Sequence, residues 1–298
     1  SLRPSRSPLT LAALASAAVA GLDPVTTTGL PQHDVDVDAA QVEDTQGRSW
    51  VIRAPRSAAA GARLEVEARF VDVLHGWVTF AVPKVVGRAV LPEGGWAQVA
   101  RAVDGSPVEP ARLALSPALA AGFGRTLASV HDLPERLVAD CGLPVFEAEE
   151  YRQRRLAELD RAAATGKVPA VLLTRWERAL EETTAWRFVP TVVHGELDGD
   201  SVRVTGTDIV AIVDWAQVRV ADPADDLAWL ANSADPRVLD AVTSAYRARR
   251  RGAVDTDLER RARLAGAFTP VRWLLHGVST QDADVVDEAV GVLAALVE

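Results

Sequence analysis

The chain is poor in the residues that would point to several common functions. It has one cysteine in 298 residues, Cys141, so no internal disulfide can form and a reducing compartment such as the cytoplasm fits. A lone thiol of this kind reads as a small core residue. Lysine is almost absent: Lys84 and Lys167 are the only two, and every other permanently charged base is arginine. The net charge of −9 leaves no basic excess for nucleic-acid phosphates, which excludes general nucleic-acid binding. No apolar run reaches the length of a membrane span. There is no internal repeat and no low-complexity tail, and with 48% apolar residues the chain can bury a core.

The apolar stretch Leu9 to Leu22 follows Arg3 and Arg6 and invites comparison with a signal peptide. It is mostly alanine, however, and Leu11, Leu14, Ala15 and Ala18 recur at helical spacing. Ser7 or Thr10 is a suitable start cap and Gly21 a stop, so the stretch reads as an amphipathic helix.

The first third then reads as strands. Leu22 to Thr28 is rich in β-branched residues, and His33 to Val42 alternates in part, with Val35 and Val37 opposite Asp34, Asp36 and Asp38. Asp44 to Gly47 is a hairpin turn, and Trp50 to Arg53 is a strand that Pro55 ends. Ala58 to Leu74 has helical period. Phe80 to Leu91 and Trp96 to Val103 read as two more strands around the turn Pro92-Glu93-Gly94-Gly95. Residues 104–107 form a hinge. Beyond it the texture is helical, with helices over Ala111 to His131, Glu147 to Thr165 and Pro169 to Trp186, a strand-rich interruption over Thr191 to Asp214, and helices again from Pro223. The expected division is an N-terminal lobe over 1–103, the hinge, and a helical C-terminal lobe over 108–298.

The chemistry concentrates between Thr191 and Leu230. A buried strand ends at His194, and Gly195-Glu196-Leu197-Asp198-Gly199-Asp200-Ser201 follows. An apolar hairpin then returns to Val213-Asp214-Trp215. On this reading Glu196, Asp198, Asp200 and Asp214 crowd one edge. Crowded carboxylates repel, so the cluster is either a divalent-cation site or a solvated acidic loop. Protein kinases place Asn five positions after the Asp of His-x-Asp and a metal-binding Asp after a hairpin.

The segment resembles the aminoglycoside phosphotransferase family, whose motifs are His-Gly-Asp-Leu, Ile-Asp-Trp and Asp-Pro with a downstream Asp-Leu-Ala. His194-Gly195 with Leu197, Val213-Asp214-Trp215, and Asp222-Pro223 with Asp226-Leu227-Ala228 match in order and spacing. Arg53-Ala54-Pro55-Arg56 is similar to the macrolide 2'-phosphotransferase branch. The resemblance covers almost the whole chain. It implies an α+β, protein-kinase-like fold of two lobes, with a small antiparallel sheet in the first and mainly helices in the second.

The resemblance also implies roles. Glu196 stands at the catalytic base position, and His194 organises its loop. Arg53, Glu67, Ala102 and Val103 would bind nucleotide, with Glu67 the first helix partner for Arg53 and Glu65 the second. Asp214 and Ser201 would hold Mg2+, while Asp222 and Asp226 support the loop. The donor would be ATP or GTP. The acceptor would be a small antibiotic-like molecule with a hydroxyl, a macrolide first and an aminoglycoside-like molecule second, with a monomeric protein. Two positions depart from the pattern: Glu196 stands where the family has Asp, and Ser201 where it has Asn. A nucleotide- or ligand-binding pseudokinase is the alternative these departures raise.

Overall fold

The computed structural model describes residues 5–30, 36–232, 235–252 and 255–297. The chain divides into two compact units, the first made of Ser1–Pro107, Asp140–Leu143 and Ser201–Ala216, the second of Val108–Ala139, Pro144–Asp200 and Gln217–Glu298.

The first unit opens with helix α1 (Pro8–Ala18). The Ser7 hydroxyl accepts the N–H of Thr10 and Pro8 occupies the first turn, where a missing N–H costs nothing. Leu11 and Ala15 are buried, with Leu14 and Ala18 packed beside them, which is the apolar stripe read from the sequence. Strands β1 (Pro24–Gly29), β2 (Val37–Asp44) and β3 (Ser49–Pro55) follow. Helix α2 (Ala58–Leu74) comes next, then β4 (Val85–Val90) and β5 (Trp96–Arg101). The five strands form an antiparallel sheet in the order β1-β2-β3-β5-β4. Strand β6 (Ser106–Pro107) closes this stretch of the chain.

Several details differ from the sequence reading. Of the alternating segment that begins at His33, residues 33–35 lie outside the described residues; in the rest, Asp38 is buried rather than facing solvent. Its carboxylate accepts from the Ser5 hydroxyl and from the Arg6 backbone and guanidinium, which satisfies it. The strand expected from Phe80 starts only at Val85, with Pro83 in the irregular stretch before it. The strand expected to reach Val103 stops at Arg101.

The second unit is mainly helical. The helix expected over Ala111 to His131 is two, α3 (Pro110–Leu115) and α4 (Pro117–His131), because Pro117 ends the first and starts the second, where Ser116 caps it. The short α5 (Arg136–Ala139) precedes α6 (Ala148–Ala164) and α7 (Ala170–Glu181). Helix α7 stops short of Trp186, and Thr183–Trp186 form a 3-10 turn instead. Strand β7 (Thr191–Val193) follows. The chain next contributes β8 (Val202–Thr205) and β9 (Asp208–Ile212) to the first unit, where β6-β8-β9 make a three-stranded sheet. Strand β10 (Arg219–Ala221) returns to pair antiparallel with β7. The rest is α8 (Ala228–Ala231), α9 (Pro236–Arg249), α10 (Leu258–Ala267), α11 (Thr269–Thr280) and α12 (Ala283–Ala295). Its core packs Trp176, Phe268, Leu274 and Leu293 among their neighbours. Among the described residues no helix is long and apolar enough to cross a membrane.

Candidate active site

In the second unit, β7 is buried throughout and delivers the chain to His194, which is 1% exposed. At Gly195 the backbone turns into the left-handed region, with φ +94°. A Cβ there would lie 2.3 Å from the Gln217 carbonyl oxygen and 2.3 Å from the Arg219 guanidinium, so only glycine fits. The N–H of His194 donates to one oxygen of Asp226 and the N–H of Gly195 to the other, each at 2.8 Å. The Gly195 carbonyl accepts from Arg219 Nη2 at 3.1 Å. The backbone N–H and C=O of Gly195 are therefore each tied to a charged side chain.

Those charges are themselves braced. His131 Nε2 lies 3.1 Å from Asp226, and its Nδ1 lies 2.9 Å from the Tyr246 hydroxyl. A carboxylate can only accept, so the ring nitrogen facing Asp226 carries the proton. Arg219 also donates to Asp225 at 2.6 Å, Arg155 donates to the other Asp225 oxygen at 2.9 Å, and the Tyr151 hydroxyl donates to Asp225 as well. Burial would raise the Asp225 pKa, but the two guanidiniums and the hydroxyl outweigh it and hold it at about 2. For Asp226 burial again works to raise the pKa, and the hydrogen bonds from His131 and the loop backbone bring it below the usual range. Burial pushes the Tyr151 phenol up to about 12, so it stays a donor. Asp222 caps the 3-10 turn Pro223–Leu227 by accepting the Ala224 N–H at 2.9 Å, and its carboxylate meets Arg261 at 2.8 and 3.1 Å. Beyond Gly195 the loop alternates, with Glu196 exposed, Leu197 buried and Asp198 half-buried. Gly199 closes it, since its carbonyl accepts the Val108 N–H at 2.9 Å and a Cβ on it would lie 2.3 Å from the Val108 oxygen.

In the first unit, Arg53 on β3 meets Glu67 on α2 through two parallel hydrogen bonds of 2.8 Å. Glu67, rather than Glu65, is the helix partner. This fork is the strongest geometry an arginine and a carboxylate can adopt. Ala102 and Val103 lie half-buried just beyond β5, and the Ala102 N–H donates to the Ser49 carbonyl at 2.9 Å. Ser201 is buried at the head of β8, where its carbonyl accepts the Val213 N–H at 2.9 Å.

The hairpin does not run straight to Asp214. Strand β9 ends at Ile212, and Asp214 adopts φ +67°, a left-handed conformation that costs roughly 1–2 kcal/mol for a side chain other than glycine. The cause lies one residue on. Trp215 is fully buried, stacks on Phe80 with ring centroids 6.5 Å apart, packs on Phe70 and donates its indole N–H to the Ile212 carbonyl. Burying that indole turns the chain over and leaves Asp214 half-buried, with no hydrogen bond or ion pair from its carboxylate to any described residue.

Among the described residues no three His, Cys, Asp or Glu side chains are placed to hold a metal ion. Glu196 and Asp200 are exposed loop residues, and close packing of all four acids would carry uncompensated repulsion. The lone Cys141 is only partly buried, not a core residue, and burial raises its thiol pKa. Sequence reasoning missed Arg219, Asp225, Arg155, Tyr151 and His131. Their only linear trace is the Asp225-Asp226 pair in an apolar stretch, two adjacent charges that need separate buried partners.

An antiparallel five-stranded sheet in the first unit and a mainly helical second unit make this a kinase-like fold. The chain belongs to the phosphotransferase enzyme family (APH), whose profile matches residues 28–264. It is similar over its fold to the macrolide 2'-phosphotransferase MphH from Brachybacterium faecium, with 25% identity, TM-score 0.81, and coverage of 96% of this chain and 98% of that one. A macrolide 2'-phosphotransferase type I gives 25% identity, TM-score 0.82 and 98% coverage of both chains. The fold is shared with a GDP and kanamycin complex of APH(2")-IIia, at 20% identity, TM-score 0.80, and coverage of 96% and 98%. In sequence, the uncharacterized protein YcbJ of Bacillus subtilis (strain 168) is 23% identical over 216 residues, 66% of this chain and 67% of that one.

Proposed function

We propose that the protein transfers the γ-phosphate of ATP or GTP to a hydroxyl of a small antibiotic-like acceptor, a macrolide, as a monomer in the cytoplasm. The observation that carries the reading is the Asp226 clasp on His194 and Gly195, which fixes the loop bearing Glu196 while leaving that carboxylate exposed. Phosphoryl transfer needs positioning and charge neutralisation more than covalent chemistry, and a loop whose backbone is fixed while Glu196 stays exposed suits it. Glu196 orients the acceptor hydroxyl and takes its proton. Arg53, held by Glu67, grips donor phosphates, and arginine does so bidentately. Ala102 and Val103 contribute to the nucleotide site. Asp214, half-buried and without a hydrogen-bonding partner among the described residues, fits a magnesium ligand, with Ser201 as the second. Asp214 and Ser201 would hold magnesium, and the ion would supply positive charge to neutralise the donor phosphates. It needs only one or two carboxylates besides those phosphates, so no ready-made cage of acids is required.

The macrolide acceptor is supported by the 25% identity to two macrolide 2'-phosphotransferases over nearly the full chain, and by the Arg53 to Arg56 run. Glu196 and Ser201 favour a second reading, a nucleotide-binding protein of the same fold with little turnover. Glutamate moves the carboxylate by roughly 1 Å, which can cost about a hundredfold in rate. A nucleotide-consumption assay of the purified protein against macrolides and aminoglycosides tests both readings. The double variant Glu196→Asp, Ser201→Asn is expected to raise macrolide-dependent consumption by ten- to a hundredfold. Equal rates for parent and variant would remove the impaired-loop account, and no consumption by either would leave the binding reading.

A further inference from the structure

The groove between α7 and α10 shares only Arg261, the partner of Asp222, with the site described above. Its volume is about 250 Å³, and no residue of the 194–200 loop lines it. The floor is apolar, with Trp176, Trp186 and Leu264. The Trp186 indole N–H donates to the Ala179 carbonyl at 3.0 Å, so its polar edge is already satisfied; Trp186 is 6% and Trp176 2% exposed, and only an apolar edge of each faces the groove. Arginines supply the polar part of the lining, with Arg175 on α7 and Arg260, Arg261 and Arg263 on α10.

These four guanidiniums are not equivalent. Arg261 is spent on Asp222 and Asp255, and Arg260 is paired with Glu182 at 2.7 Å. Arg175 and Arg263 make no hydrogen bond or ion pair with any described residue, and both are exposed. In a chain of net charge −9, two uncommitted arginines beside an aromatic floor are a local positive site. Such a site repels cations and offers a planar fork to an anion. A concave, mostly apolar pocket with a few convergent polar groups is the form that small-molecule sites take. Its volume suits a ligand of one or two rings.

We propose that this groove binds a small aromatic anion, its ring system on the Trp176, Trp186 and Leu264 floor and its carboxylate or phosphate head between Arg175 and Arg263. The site is independent of the phosphotransfer reading, and its test needs neither donor nor acceptor.

The test titrates the full chain by calorimetry with three probes that share one ring system: 2-naphthoate, 2-naphthyl phosphate and 2-naphthylmethylamine. The two anions are expected to saturate at sub-millimolar concentration with one site per chain. The amine is expected to bind at least tenfold more weakly. The tighter of the two anions identifies the head group. The double variant Arg175→Glu, Arg263→Glu is expected to weaken anion binding at least tenfold, and its thermal midpoint, read alongside, is expected to stay near that of the parent because both side chains are exposed. Equal binding of the amine, no binding of either anion, or unchanged anion binding by the variant overturns the proposal. Should that variant fail to fold, Arg175→Gln, Arg263→Gln carries the same expectation and the same refutation.

Discussion

Asp214 and Asp225 are both acidic, yet the fold treats them in opposite ways. Asp225 is buried and spent on Arg155, Arg219 and Tyr151, whereas Asp214 is held in a left-handed backbone with no hydrogen-bonding partner among the described residues. Burial of Trp215 imposes that backbone, so the conformation serves packing, and whether the carboxylate also serves a ligand is a separate question. The substitution Asp214→Asn separates the two, because asparagine tolerates the left-handed region as well as aspartate does. We expect the stability of this variant to lie within about 0.5 kcal/mol of the parent, the range of an ordinary surface substitution. We expect it also to lose the magnesium dependence of nucleotide binding. Calorimetric titration with and without magnesium checks this, and undiminished magnesium-dependent binding would refute the ligand role.

At the scale of elements, the 3-10 turn Pro223–Leu227 holds the second unit's loop in place. Asp222 caps it, Asp225 anchors it to α6 and β10, and Asp226 reaches the loop backbone. Removing one member of a buried charge cluster leaves its partners uncompensated, at about 3–5 kcal/mol. Asp225→Asn is therefore expected to destabilise the protein by that amount near neutral pH, measured by urea unfolding. The pH dependence has a definite sign. Asp225 has a folded pKa of about 2 against an ordinary 3.8, so its contribution is complete above the ordinary value and is lost as pH falls from about 4 toward 2. The gap between parent and variant should narrow over that window. A gap that stays constant to pH 2 would show that the carboxylate is not the source of the effect.

These elements were unequally legible in the sequence. Helix α2 could be bounded from its period, because Ser57 caps it and Leu64, Ala68, Val71 and Leu74 bury one face. The motif residues from His194 to Asp226 could be placed because their order and spacing are specific. The split at Pro117 was a local signal that the long apolar period masked. The Arg6–Asp38 contact and the Arg155–Asp225 pair join residues 32 and 70 positions apart. No local pattern encodes such pairings, since a buried arginine and a solvated one look alike in sequence.

At the scale of the whole molecule, charge separates the two acceptor classes. The chain carries −9, and an aminoglycoside is a polycation, so long-range attraction would contribute to its capture and fade with salt. A macrolide with a single basic amine and a large apolar surface would depend chiefly on burial, which salt does not screen. The screening length falls from roughly 10 Å at 0.1 M to about 3 Å at 1 M, so this range removes steering by charges outside direct contact. If a macrolide is the acceptor, its KM should change by less than about threefold between 0.05 and 0.5 M sodium chloride, because one charge gains little from the field. An aminoglycoside acceptor should instead show a KM that climbs tenfold or more over the same range, in step with its several charges. Steady-state kinetics at four or five salt concentrations distinguish the two. A steep salt dependence of the macrolide KM would mean that charge, not apolar burial, governs its capture.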